Sequence, residues 1–162
     1  MGFYAGGKQN LSQEEAKAYF DGAFRCMLAE RYGEAFLCLS KLEDRDDPAV
    51  HYNLGLCHAA AEGWEAAIGC LEKALTLIKK IQPRRPSPAA AASVYKILRT
   101  REVEKQSCLL PMGEDSSRLF ADEAEQDIVM VLIYMYAKRG LADKAKALTA
   151  VLSGEQFASL KS

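Results

Sequence analysis

Apolar residues recur three and four positions apart through most of this chain, which is the spacing of one face of an α-helix. The first stretch begins at Ser12 and Glu15, whose spacing is that of a capping box at a helix N-terminus. Asp47 and Pro48 mark another start, because aspartate caps the first turn of a helix and proline is tolerated within it. The pattern predicts an all-α fold of about seven helices, at about 12–31, 32–42, 48–61, 64–78, 89–106, 117–139 and 142–152.

Residues 128–131 are the exception to this helical pattern, since Ile-Val-Met-Val is β-branched enough to favour a strand locally. A single strand would have no partner in this chain, so we predict a helix that is buried on several sides. The longest apolar run, residues 128–137, is about half of what a bilayer core requires. The sequence therefore predicts no membrane span.

A pair of helices recurs three times, and an alanine follows the packing residue of each pair thirteen positions later. The clearest unit reads His51-x-x-Leu54-Gly55-x-x-His58, followed by Trp64-Glu65-Ala66-Ala67. The packing residues and their alanines are Gly22 and Ala35, Leu54 and Ala67, and Leu132 and Ala145. The offsets of 32 and then 78 residues indicate an insert of about 44 residues before the third unit.

This pattern resembles the tetratricopeptide repeat (TPR) family, whose unit of 34 residues is a helix–turn–helix. The resemblance covers roughly 100 residues and implies one domain built as an α-α superhelix of antiparallel helix pairs. The sequence departs from the family at His58, where a tyrosine is usual, and at Ile133, where a small residue is usual. The predicted boundaries are 12–46 for the first repeat, 47–81 for the second, 82–116 for the insert and 117–153 for the third.

The resemblance implies that a peptide or a partner helix binds along a concave surface made by the first helix of each pair. Residues one step past the packing positions share that surface, because their i, i+4, i+7 spacing places them on one helix face. An apolar partner is expected, since the Lys, Arg and Asn clamp that holds acidic chaperone tails is represented only by Lys17 and Asn53. The predicted partner-binding residues are Phe20, Phe24, Met27, Tyr52, Leu56, Ala59, Met130 and Tyr134, with Ala137 extending the third set.

Several interpretations of this surface stay open at the level of sequence. The helix predicted at 89–106 could fill the groove from within the chain, or the groove could be open to a partner protein. A chaperone for a hydrophobic client segment, as in class II type III secretion chaperones, has similar size and repeat number. The segment 79–105 carries a net charge of +6 and residues 114–127 carry −5, so an RNA-binding or acidic-partner adaptor is a further alternative beside mutual pairing. A homodimer is also compatible with the pattern.

Composition limits the other function classes. The 162 residues suit one domain, and 21 basic against 22 acidic residues leave a net charge of −1, with no global field for nucleic acid or membranes. Five cysteines without a C-x-x-C pair are typical of free thiols in a reducing cytoplasm. The N-terminus lacks the basic head and apolar block of a secretory signal. We therefore expect a cytoplasmic protein.

The sequence offers little for catalysis. His51 and His58 are seven positions apart, whereas a chelating pair on one helix is normally three or four apart. No phosphate-binding loop, nucleophile elbow or dinucleotide fingerprint occurs in the chain. The sequence thus predicts a binding protein rather than an enzyme, with no catalytic residue, no metal and no cofactor.

Overall fold

The computed structural model describes residues 10–81 and 110–159, with side chains through residue 152. Helices are the regular secondary structure of these two ranges, so the predicted all-α class is confirmed, including for residues 128–131. The helix predicted at 89–106 lies outside the described residues. The helices are α1 (Gln13–Leu28), α2 (Tyr32–Leu39), α3 (Pro48–Ala60), α4 (Trp64–Lys79), α5 (Ser116–Leu119), α6 (Ala121–Lys138) and α7 (Ala142–Ser159), with a 3₁₀ turn at Ser40–Leu42.

Two helix starts follow directly from the capping residues seen in the sequence. The Glu15 N–H donates to Ser12 Oγ at 3.1 Å, and the Ser12 N–H donates to Glu15 Oε2 at 2.8 Å. Asp47 Oδ1 accepts from the Ala49 N–H at 2.8 Å, and Pro48 occupies the first helical position. Side chains thus satisfy amide groups that the helix itself leaves without partners, which confirms both predicted starts.

The helix predicted at 117–139 is instead two helices that meet at Phe120. That residue has φ −135° and ψ 52°, outside the helical region, and separates α5 from α6. The short α5 contacts α3, whereas α6 packs along α4. The break at Phe120 therefore allows two consecutive helices to pack against different helices. Neither proline nor glycine occurs at the break, and local sequence signals therefore do not reveal it.

The three helix pairs are closed by the same type of turn. Glu30, Glu62 and Gly140 have positive φ values of 57°, 58° and 76°. The next residue in each turn donates its N–H at 2.8 Å to the carbonyl five positions back, as in a Schellman motif. These turns are 32 and 78 residues apart, so the structural repeat has the offsets of the sequence pattern. The three donor–acceptor pairs are Arg31 to Cys26, Gly63 to His58, and Leu141 to Tyr136.

Two of these turns place a glutamate where glycine is favoured. A non-glycine residue in the left-handed region costs roughly 1–2 kcal/mol. Glycine avoids this cost, but its greater conformational freedom in the unfolded chain cancels part of the gain. We therefore expect Glu30→Gly and Glu62→Gly each to raise the free energy of unfolding by about 0.5–1 kcal/mol, measured by urea denaturation. Glu14→Gly is the matched control, because Glu14 is exposed within α1 and should lose stability instead. Loss of stability in all three variants would contradict the expectation.

The helices pack in chain order, and α4 contacts α6 directly although residues 80–120 separate them in sequence. Ala35 and Ala67 are fully buried, and Ala145 packs against the core. A Cβ atom placed on Gly55 would lie 2.9 Å from Leu71 Cγ and 3.2 Å from the Ala67 carbonyl oxygen. Small residues therefore allow α3 and α4 to cross closely, as the repeat pattern predicts.

Polar contacts join the second and third helix pairs. The Tyr136 hydroxyl donates to Glu72 Oε1 at 2.6 Å, and Lys144 Nζ lies 3.8 Å from the same oxygen. Arg139 pairs with Glu65 at the exposed edge of this interface. Burial together with the Glu72 hydrogen bond raises the pKa of Tyr136, which keeps its hydroxyl a donor. These contacts help to hold α6 in place against α4.

Candidate partner-binding groove

The predicted partner-binding residues do not form one open surface. Phe24 is half-buried, and Met130 and Tyr134 on α6 are 59% and 38% exposed. The other five lie in the apolar core: Phe20, Met27, Tyr52, Leu56 and Ala59. The structure therefore buries most of the α1 set and all of the α3 set, and leaves Met130 and Tyr134 of the α6 set exposed.

Helix α3 is covered on nearly every side. Residues 48–57 of this helix are all buried, together with Ala59. It packs on α2 and α4 and also contacts α5. Within this apolar helix His51, Tyr52 and Asn53 are consecutive buried residues that carry polar groups, and each of those groups requires a partner.

The partner of Asn53 is the backbone of a distant, non-helical part of the chain. Asn53 Nδ2 donates to the Met112 carbonyl at 2.9 Å, and the Met112 N–H donates to Asn53 Oδ1 at 2.8 Å. The two residues are 59 positions apart and only 1% and 3% exposed. One side-chain amide thus satisfies both backbone groups of a single residue, and this recognition requires no particular side chain.

Residues 110–113, which we call the crossing segment, are held by α3 at a second point. The Tyr52 hydroxyl donates to the Leu110 carbonyl at 3.2 Å. Pro111 lies between the two bonded residues, has no N–H to satisfy, and disfavours a helical conformation for Leu110. Just beyond the segment, Lys17 Nζ of α1 donates to Glu114 Oε2 at 3.2 Å. The crossing segment is therefore fastened to α3, and its end is fastened to α1.

The Met112 side chain completes the apolar part of this arrangement. It belongs to the same buried cluster as Phe20 of α1 and Leu56 of α3. We call the surface that holds the crossing segment the groove; Tyr52 and Asn53 of α3 form it, and Lys17 bounds it on the α1 side. The crossing segment fills it within the described residues, whereas residues 89–106, which the sequence left open as an occupant, lie outside them.

The two histidines have structural surroundings. His51 is buried, and its Nε2 lies 3.0 Å from the Arg45 carbonyl. Burial lowers the pKa of His51, and the positive charge of Lys73 acts in the same direction. The half-buried ring of His58 meets the Phe36 ring edge to face at 5.2 Å between centroids. Among the side chains that the structure describes, no group of three or more His, Cys, Asp or Glu residues is placed to hold a metal ion.

The pKa of His51 predicts a pH dependence of stability. The unfolded chain takes up a proton near the ordinary value of 6.5, whereas the folded chain resists it because the ring is buried. The unfolding free energy should therefore fall as the pH drops below about 6.5. In urea denaturation at pH 7.5 and 5.5, we expect a smaller decrease for His51→Gln than for the wild type. His58→Gln is the control, and the prediction fails if this variant loses the pH dependence instead.

Burial also changes the acidity of three cysteine thiols. Burial raises the pKa of Cys57 to about 12, and it raises those of Cys38 and Cys70 as well. Since the thiolate is the reactive form, these three residues are held as small apolar groups. Cys108 lies outside the described residues.

The charged segments are described only in part. Most of the basic segment 79–105 lies outside the described residues. In the acidic segment, Glu114 pairs with Lys17 and Asp115 pairs with Arg118, the second pair being three positions apart on the surface. Glu114 of the acidic segment therefore pairs with α1, and this contact helps to hold the chain next to the groove.

Comparison of the chain with protein-family profiles, with curated proteins and with solved structures found no match in any of the three. The TPR resemblance therefore stays a prediction from the sequence. The helices in residues 10–81 and 110–159 include none with the length and apolar character needed to cross a membrane.

Proposed function

We propose that this chain is a protein–protein interaction module that binds a non-helical, apolar segment of a partner protein in the groove between α1 and α3. The observation that carries this proposal is the buried Asn53 amide, which forms two hydrogen bonds to the backbone of one residue, Met112. A polar group in that position has a clear use in binding peptide backbone. It has no equivalent use in packing helices, where an apolar residue of similar size avoids the cost of desolvation.

The surroundings of Asn53 indicate the kind of segment that fits. Met112 belongs to the same buried apolar cluster as side chains of α1 and α3, Phe20 and Leu56 among them. Burying one large apolar side chain there contributes about 1.5–3 kcal/mol, and the pair of backbone hydrogen bonds orients the segment. The helices that form the groove are ordered before a partner binds, which spares this chain the entropic cost of ordering them.

Selection of peptides from a random library tests this proposal. Displayed twelve-residue peptides would be selected on the full-length chain, and the affinity of those recovered would be measured by fluorescence anisotropy. In the Met112→Ser background, where the chain's own segment competes less, we expect apolar peptides that bind at least about tenfold more weakly once Asn53→Ala is added, since a buried hydrogen-bonded pair is lost. Circular dichroism would establish that the variant is folded at the temperature of measurement.

Met130→Ser is the matched control, because Met130 is exposed on α6 and belongs to the predicted binding set but not to the groove. Its affinity for the selected peptides should equal that of the wild type. If the selected peptides bind Asn53→Ala normally but bind Met130→Ser more weakly, the binding site lies on α6 and the groove is refuted as the site.

A further inference from the structure

We infer that the crossing segment is a resident ligand of the groove, and that a partner binds by displacing it with a segment of the same chemistry. This inference rests on the proposed function. It adds how partner binding is regulated and which class of partner segment binds. The displacing segment would carry a large, unbranched apolar residue directly after a proline, as Met112 follows Pro111. The chain would then limit its own binding through intramolecular competition.

The contacts of the crossing segment are ones that another peptide can reproduce. Asn53 binds the backbone of Met112, and Tyr52 binds the backbone carbonyl of Leu110, so neither contact depends on side-chain identity. Met112 is the one residue of the four that is buried, while the other three are half-buried. A partner therefore has to match one apolar side chain and one short stretch of backbone.

The anchor beyond the segment is weak. The pair between Lys17 and Glu114 lies at the surface, where the Lys17 side chain is 61% exposed. Exposed ion pairs of this type contribute little to stability, and salt screens them. Release of the crossing segment from the groove is thus opposed mainly by the Met112 side chain and by the hydrogen bonds that a partner would replace.

An empty groove is unfavourable, which makes exchange the expected route of binding. If the crossing segment left without a replacement, the Asn53 amide would lose both its hydrogen bonds in an apolar environment. The groove is therefore filled by the chain itself when no partner is present. The apparent affinity for a partner equals the intrinsic affinity multiplied by the small fraction of molecules in which the segment has been released.

The partner class follows from the chemistry of Met112. Its unbranched thioether side chain adapts to an irregular apolar pocket, and methionine or leucine suits such a pocket better than a β-branched residue. A preceding proline removes one backbone donor that would have no partner and keeps the segment out of a helix. The structure thus assigns the groove to non-helical segments with a proline followed by Met or Leu.

A labelled peptide with the sequence of residues 109–115 tests the competition directly. Its binding would be measured by fluorescence anisotropy to the full-length wild type, Met112→Ser and Met130→Ser. Met112→Ser weakens the resident segment without altering the walls of the groove, so we expect it to bind the peptide at least tenfold more tightly than the wild type. Met130→Ser makes the same chemical change at an exposed site and should bind like the wild type. Adding Asn53→Ala to Met112→Ser should abolish the gain.

A second variant covers the case in which Met112→Ser fails to fold. Pro111→Gly keeps the Met112 side chain but makes the free segment more flexible, and it should strengthen peptide binding about threefold. Equal affinity of the wild type and the folded variants, while library peptides still bind through Asn53, would overturn the inference and leave the proposed function standing. Absence of binding to every variant, by this peptide and by library peptides, would overturn both.

Discussion

Replacing Gly55 with valine should lower the free energy of unfolding by about 3 kcal/mol or more, since overpacking at a close helix crossing forces the backbones apart. The first added carbon alone would lie 2.9 Å from Leu71 Cγ and 3.2 Å from the Ala67 carbonyl oxygen. The second of these atoms belongs to the backbone of α4 and cannot move without shifting that helix. Because α3 also carries Asn53, the variant should disturb the groove as well as the core. Urea denaturation followed by circular dichroism measures the loss.

Glycines elsewhere in the helices provide the controls for this prediction. A Cβ placed on Gly22 or Gly69 meets no atom within 4 Å apart from its chain neighbours and the backbone of its own helix. The free energy of unfolding should therefore rise by up to about 1 kcal/mol in Gly22→Ala and in Gly69→Ala, because alanine has the higher helix propensity. Gly55→Ala gains the same helix propensity, but its added Cβ would clash with α4. We therefore expect a lower free energy of unfolding than in the wild type. A Gly55→Val variant as stable as the wild type would show that α3 and α4 do not cross as closely as described.

The second large effect is expected for Asn53→Asp at neutral pH. A carboxylate still accepts the Met112 N–H but offers no donor to the Met112 carbonyl, and its charge is buried in an apolar environment. We expect the unfolding free energy to fall by about 3 kcal/mol at pH 7.5. Thermal or urea denaturation of the two chains at the same pH provides the measurement.

The pH dependence of this variant separates loss of a hydrogen bond from a general packing defect. A protonated aspartate regains a donor for the Met112 carbonyl, and burial raises the pKa of such a carboxyl. Relative to the wild type at each pH, Asn53→Asp should therefore recover stability as the pH falls towards 4.5. Asn10→Asp, at an exposed position, should match the wild type throughout. If the loss of unfolding free energy in Asn53→Asp does not change with pH, loss of the hydrogen bond is not its cause.

The sequence predicts much of this fold because its signals are local. Ser12 and Asp47 mark helix starts through bonds to amides within the next three residues, so short-range patterns suffice. The fully buried Ala35 and Ala67 follow from the thirteen-residue spacing within each helix pair. The break at Phe120 has no such signal, since contacts of α5 with α3 and of α6 with α4 produce it.

The groove was harder to predict for the same physical reason. Helical periodicity shows that Tyr52 and Leu56 share a face, but it does not show whether a distant part of the chain covers that face. The covering residue, Met112, is 59 positions from Asn53 and lies in a stretch whose sequence indicates only a loop. The available clue was Asn53 itself, an amide within an otherwise apolar stretch of α3 that requires a partner.

The single non-helical residue between α5 and α6 has a mechanical consequence. The crossing segment leads within three residues into α5, and Phe120 alone separates α5 from the helix that exposes Met130 and Tyr134. The Phe120 carbonyl accepts the Ala124 N–H at 2.8 Å and so forms the first turn of α6. Displacement of the crossing segment, as proposed above, would reach α6 along the chain only through α5 and this one non-helical residue.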